Sequence, residues 1–101
     1  MKVKFGEKDV LVYEHPIYQK DEKTGKRVRK GLIAILVGGF DKENPKRYMD
    51  KVVEKYAGEN SYNEFIESFL DNPWVRVVTI GINEIDFKEY KGKVLNKIIN
   101  N

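Results

Sequence analysis

Six basic side chains lie within eleven consecutive residues, and they are the strongest candidates for chemistry in this chain. They are Lys20, Lys23, Lys26, Arg27, Arg29 and Lys30. Three ring side chains precede them on what we predict to be the outgoing strand of a hairpin, namely Tyr13, His15 and Tyr18. A two-stranded ribbon that carries cations can follow a phosphate backbone or enter a groove, and nearby rings can stack on unpaired bases. The pattern therefore predicts a nucleic-acid-binding hairpin.

A solvated surface loop is the competing interpretation of the same basic stretch. Charge keeps a long hairpin soluble and discourages pairing at its edges, and charge runs are usually solvated. Asp21 and Glu22 lie in the loop and would repel phosphate. A second group of lysines would strengthen the nucleic-acid hypothesis if it shared a face with the hairpin. It would weaken the hypothesis if it lay on the opposite side. These lysines are Lys88, Lys91, Lys93 and Lys97 of the last predicted helix.

The rest of the residue inventory gives little support for catalysis. His15 is the only histidine, and Glu14 beside it would point to the other face of a strand, so neither a partner nor a nucleophile is specified. The absence of cysteine excludes disulfides, zinc-thiolate sites and thiol catalysis. The carboxylates have no spacing that specifies a metal site. We therefore expect no catalytic residues, no cofactor, no metal and no enzymatic activity.

The composition indicates one domain that spans residues 1–101. With 41% hydrophobic and 35% charged residues, the chain has the balance of a globular protein, not of a disordered one. The net charge of +3 is too small to indicate a polyanionic partner by itself, so only the local distribution of charge carries meaning. No segment reaches the roughly 20 apolar residues that span a bilayer. We expect a cytoplasmic protein without a membrane partner.

The most apolar stretch, residues 31–40, predicts a central strand that positions the basic loop. Ile33 and Ile35 have one parity and Leu32 and Leu36 the other, so both faces of this strand would be apolar, as in the middle of a covered sheet. A buried helix is the alternative, because periodicity cannot separate the two for a short run. The β-branched residues favour the strand. Residues 10–18 and 28–37 would then form a long hairpin around a polar turn at residues 23–26.

The remaining segments predict an α+β domain. Asn44 and Pro45 indicate the start of a helix that ends at Gly58, and Ser61 with Glu64 has the capping-box spacing of a second helix. Residues 74–82 predict a strand antiparallel to the central one, and Asp86 is a candidate N-cap for a last helix, with a short strand over residues 85–90 as the alternative. The order is β-β-β-α-α-β-α, with a mainly antiparallel sheet of about four strands and helices packed on it.

A protein-interaction module is the second functional hypothesis. A sheet of this kind has an edge strand, and an edge strand can pair with a second copy in a homodimer or with another protein that it blocks. Pro16 limits the second strand, since proline cannot donate to a strand ladder. We predict a short first strand at residues 2–5, and we expect Pro16 where this strand leaves the second strand without a partner on that side.

Overall fold

Five strands form one antiparallel sheet with a helix against each face. The structure is a computed structural model that describes residues 2–5, 8–38, 44–64 and 72–99. Its elements are β1 (Lys2–Phe5), β2 (Lys8–Lys20), β3 (Arg27–Val37), α1 (Pro45–Ala57), β4 (Tyr62–Glu64), β5 (Val75–Ile80) and α2 (Glu84–Ile99). The strand order across the sheet is β1-β2-β3-β5-β4, and every neighbouring pair is antiparallel. The predicted α+β class is confirmed.

The central position of β3 is confirmed by its two neighbours. β3 pairs with β2 on one side and with β5 on the other, so β5 is antiparallel to β3 as predicted. The two parities of β3 enter different core clusters. Leu36 packs with Met49, Val52 and Val53 under α1. Ile33 and Ile35 pack on the opposite face with a second cluster, which contains Ile17, Val77, Ile82, Phe87 and Val94.

Local capping signals define both helices. Asn44 Oδ1 accepts a hydrogen bond from the Arg47 backbone N–H at 3.1 Å, and Gly58 closes α1 with a positive φ of 62°. α2 begins at Glu84, two residues before the predicted cap. Asn83 is the N-cap residue, because its Oδ1 accepts from the Asp86 N–H at 2.9 Å. The short-strand alternative for residues 85–90 is wrong, since these residues are helical.

The predicted second helix is wrong where the structure describes it. Residues 62–64 form β4, which pairs with β5 from Tyr62 opposite Ile80 to Glu64 opposite Val78, and adds a fifth strand to the sheet. The capping-box spacing of Ser61 and Glu64 is a local signal, and tertiary pairing overrides it. The Glu64 carboxylate lies 2.8 Å from Arg76 Nε instead of returning to the backbone of Ser61. The apolar residues predicted for this helix, Phe65, Ile66, Phe69 and Leu70, lie outside the described residues.

Candidate nucleic-acid interface

The outer part of the β2–β3 hairpin extends beyond the rest of the sheet. Among the described residues, β1 pairs with β2 from Lys8 to Leu11 and no further, and β5 pairs with β3 from Leu32 to Val37. Residues 18–30 are therefore a two-stranded ribbon without a neighbouring strand among the described residues, and we call them the β-arm. All residues from 22 to 30 are exposed. The long axis of the molecule, 51 Å against 28 and 22 Å for the others, reflects this extension.

A β-bulge at the base of the β-arm determines which side chains share a face. Ile17 is opposite Gly31 and Tyr18 is opposite Arg29, so Lys30 is the extra residue of the bulge. Ile17 is buried on the α2 side of the sheet. Because side chains alternate along a strand, Tyr18 lies on the α1 side.

The same register gives the β-arm a cationic face. Lys20 lies opposite Arg27, and Arg29 lies opposite Tyr18 on the same side of the ribbon. The Arg27 guanidinium carbon lies 5.0 Å from the centroid of the Tyr18 ring, which confirms that these two residues share the face. The opposite face carries Gln19 and Val28. We define the cationic face as Tyr18, Lys20, Arg27 and Arg29.

The turn at the tip of the β-arm is held by its own hydrogen bonds. The Asp21 carbonyl accepts from the Gly25 N–H at 2.7 Å, and the Asp21 N–H donates to the Lys26 carbonyl at 2.8 Å. Asp21 Oδ1 also accepts from the Lys23 N–H at 2.9 Å. Gly25 has a φ of 71°, a conformation that side-chain-bearing residues rarely adopt. The turn thus presents Lys23 and Lys26 to solvent, and the Asp21 carboxylate has a structural role in the loop.

One of the six predicted cations is bound within the protein. Lys30 Nζ lies 3.0 Å from Asp86 Oδ2, and this ion pair fixes the base of the β-arm to the first turn of α2. The Lys30 hydrogen bond lowers the pKa of the Asp86 carboxyl below its usual range. Among the described residues, the other five cations form no ion pair. No local pattern indicates the contact between Lys30 and Asp86, since 56 positions separate the two residues.

Two of the three predicted ring residues do not join the cationic face. Tyr13 is half-buried and packs against the core cluster under α2. The His15 ring lies 5.7 Å from the Tyr90 ring, also on the α2 side. Only Tyr18, 47% exposed, stands beside the cations.

The lysines of α2 do not extend the cationic face. α2 packs on the sheet face that contains Ile17 and Ile33, whereas the cationic face is on the α1 side. Lys88 lies 3.4 Å from Glu84 in an ion pair along the helix, and Lys93 Nζ lies 5.9 Å from the centroid of the Tyr90 ring. The Lys97 side chain lies outside what the structure describes. The two basic surfaces are on opposite sides of the sheet, so the lysines of α2 weaken the nucleic-acid hypothesis instead of strengthening it, and its support comes from the hairpin alone.

An open depression of about 350 Å³ lies beside the base of the β-arm, and its lining includes Asn63, Gly81, Asn83 and the Lys30–Asp86 pair. In the described part of the chain, no three histidine or acidic side chains are grouped so as to hold a metal ion. None of the described helices is long and apolar enough to cross a membrane.

A polar cluster around Arg76, which the sequence analysis did not predict, lies at the edge of the sheet where β4 pairs with β5. Arg76 is 9% exposed, and its guanidinium lies 2.8 Å from Glu64 and 3.7 Å from Asp50. It also donates to the Pro73 carbonyl at 3.1 Å. Burial raises the pKa of the Glu64 carboxyl, and the charge of Arg76 opposes this shift. Since Arg76 joins α1, β4 and β5, we assign this cluster to the fold.

Together, the fold and this surface define an α+β domain of helix, sheet and helix layers that extends a cationic two-stranded arm. Comparison of the chain with protein-family models, with curated proteins and with solved structures finds no match. The functional argument therefore depends on the residues of the β-arm.

Proposed function

We propose that this protein binds nucleic acid through the cationic face of its β-arm. The observation that carries the proposal is the placement of Lys20, Arg27 and Arg29 on one exposed face of a ribbon that extends beyond the sheet. Basic side chains in such an array bind a phosphate backbone because they displace its condensed counterions. We expect no catalytic step, and nucleic acid is the partner.

The net positive charge of the protein is concentrated in the β-arm, which supports the proposal. The β-arm contains six basic and two acidic residues and so carries +4, whereas the other 88 residues contain 13 basic and 14 acidic residues and carry −1. A protein whose positive charge was needed only for solubility would not require this concentration. The concentration at one end also favours approach of a polyanion in a defined orientation.

A titration at several salt concentrations tests the proposal. The full chain is titrated into a fluorescently labelled 20-nucleotide duplex and its single strand. Anisotropy is recorded between 25 and 200 mM salt, over which the Debye length falls from about 19 to about 7 Å. The test variant replaces Lys20, Arg27 and Arg29 with alanine. Each lost phosphate contact reduces the slope of log K against log salt by about 0.7 to 0.9, so we expect a reduction of about 2 to 3.

The matched control replaces Lys88, Lys91 and Lys93 of α2 with alanine. It removes the same charge from the opposite side of the sheet, and alanine preserves the helix. We expect the control to retain most of the wild-type affinity. Equal losses in both triple variants would show that net charge, not the β-arm, determines binding. If neither the duplex nor the single strand binds at 25 mM salt, the proposal is overturned.

A second candidate function is self-association through the edge of β2. On the side of β1, no described strand pairs with β2 beyond Leu11, so the outer end of β2, residues 16–20, is where a strand could be added. Pro16, at the start of this edge, cannot donate a backbone hydrogen bond and limits an added ladder to the residues after it. Light scattering across micromolar concentrations tests this candidate, and a constant monomer mass would exclude the homodimer.

A further inference from the structure

The ring side chains near the β-arm are poorly arranged for stacking on unpaired bases. Proteins that bind single strands offer several open aromatic faces to successive bases. Here Tyr13 packs into the α2-side core and His15 faces Tyr90. Tyr18 is the remaining ring of the three predicted from the sequence, and the Arg27 guanidinium lies over one of its faces, 5.0 Å from the ring centroid. A single half-covered ring does not make a platform for a run of bases.

The shape of the β-arm matches a groove instead. The major groove of B-form DNA is about 12 Å wide and admits a two-stranded β-ribbon. Lys20 and Arg27 lie on opposite strands of the ribbon, and Arg29 follows Arg27 by two residues, or about 7 Å. Cations therefore extend from both strands, where the two phosphate walls of a groove would meet them. The major groove of A-form RNA is too deep and narrow for side chains to read.

The β-arm is also held in place before any partner binds. The Lys30–Asp86 pair fixes its base, and the hydrogen bonds of Asp21 fix its tip. A ribbon ordered in advance loses less conformational entropy when it enters a groove. A flexible loop that wrapped around a single strand would not need these contacts.

We infer that the β-arm enters the major groove of double-stranded DNA, and that the protein binds duplex DNA more tightly than single-stranded DNA or duplex RNA. This inference rests on the proposed function and names the class of nucleic acid. The cationic face is directed into the groove, with Arg27 and Arg29 able to donate to guanine O6 and N7 or to phosphate. Lys23 and Lys26 at the tip contact the phosphate backbone.

The test compares three ligands of one sequence with the full-length protein: a 20-base-pair DNA duplex, one of its strands, and the matching RNA duplex. We expect the dissociation constant for duplex DNA to be at least tenfold lower than for the other two. Saturating protein should also protect guanine N7, which lies in the major groove, from methylation. Equal or tighter binding to either other ligand overturns the inference but leaves the proposed function standing. Absence of binding to all three overturns both.

Replacement of Tyr18 with leucine separates groove binding from stacking. Leucine retains an apolar side chain on the ribbon and removes the ring. Because Tyr18 also contacts Arg27, loss of the ring can weaken binding to both ligands, so the readout is the ratio of the dissociation constants for single-stranded and duplex DNA. We expect this ratio to change less than twofold. A fall of more than fivefold in the affinity for the single strand alone would show that a base stacks on Tyr18, and would contradict the groove assignment.

Discussion

The strand β3 contains two regions with opposite surroundings. Residues 27–30 are exposed and have β2 as their only neighbouring strand among the described residues, whereas residues 32–36 are between 0 and 8% exposed, with a strand on each side and a helix over each face. Gly31 separates the two halves. Both halves belong to the same strand, so burial and charge, not secondary structure, distinguish the scaffold from the candidate site.

This difference has a consequence for mutagenesis. In the buried half, each side chain lies between the sheet and the helix on its face, so a change in side-chain volume alters the free energy of unfolding. In the exposed half, the ladder with β2 forms through the backbone, so side chains can change with little effect on stability. Loss of function in a β-arm variant can therefore be attributed to the surface and not to unfolding.

The largest expected effect is that of Ile33→Ala, which tests the buried half. Ile33 is 0% exposed in the α2-side cluster, so its truncation should lower the free energy of unfolding by about 2 to 5 kcal/mol. Val28→Ala in the exposed half, where Val28 is 52% exposed, should change it by less than about 0.5 kcal/mol. Urea unfolding followed by the fluorescence of the single tryptophan measures both.

Similar losses in the two variants would show that the β-arm is packed as the sheet centre is. If Ile33→Ala does not fold, Ile33→Val provides the same comparison at about 0.5 to 1.5 kcal/mol.

A smaller effect is expected at Gly31, the boundary between the two halves of β3. The Gly31→Ala variant tests how closely the base of the β-arm approaches the end of β5. A methyl group on Gly31 would meet the Ile80 carbonyl oxygen and would lie 2.8 Å from Ile82 Cγ2. Overpacking of this kind costs about 1 to 3 kcal/mol. The matched control is Gly92→Ala in α2, where no atom lies within 4 Å of the added methyl and alanine favours the helix by about 0.5 to 1 kcal/mol.

The two alanine substitutions should thus change the urea midpoint in opposite directions. A stabilised Gly31→Ala protein would show that the end of β5 does not press against the base of the β-arm.

Gly31 also illustrates how far the sequence could predict this fold. The apolar run beside it predicted the central strand, because β-branched residues of both parities are a local signal that burial on two faces produces. The sequence indicated Gly31 only as a boundary. Its close approach to Ile80 depends on a contact between segments 49 residues apart, which no local pattern contains.

The prediction of helix at residues 62–64 was wrong for a related reason. Ser61 and Glu64 have capping-box spacing, yet pairing with β5 and the contact between Glu64 and Arg76 favour a strand at residues 62–64. Local propensities differ by less than about 1 kcal/mol per residue, so a few tertiary contacts decide the outcome for a short segment.

The candidate site was predicted in composition but not in arrangement. The basic residues of the hairpin are visible in the sequence, and the turn at Gly25 follows from ordinary turn chemistry. The division of the cluster into a cationic face and a bound Lys30 requires the bulge, which shifts the register by one residue. The positions of Tyr13 and His15 on the α2 side follow from strand parity, but which side α2 covers does not.

The smallest expected effect concerns the pH dependence of the contact between the base of the β-arm and α2. The Lys30 hydrogen bond lowers the pKa of Asp86 in the folded protein, so the unfolded chain binds more protons in the acid range. The ion pair therefore stabilises the fold at neutral pH, and its contribution is lost as the pH falls below about 4, the ordinary range of an aspartate. Lys30→Met removes this contribution and retains the aliphatic part of the side chain.

We expect the urea midpoints of the wild type and Lys30→Met to differ slightly at pH 7 and low salt, and to coincide at pH 2. The control is Lys23→Met at the tip of the β-arm, which removes the same charge but no ion pair among the described residues, and its midpoint should follow the wild type at both pH values. Salt should reduce the difference at pH 7, because the pair is partly exposed. A difference that persists at pH 2 would mean that packing of the Lys30 stem, and not the ion pair, holds the β-arm against α2.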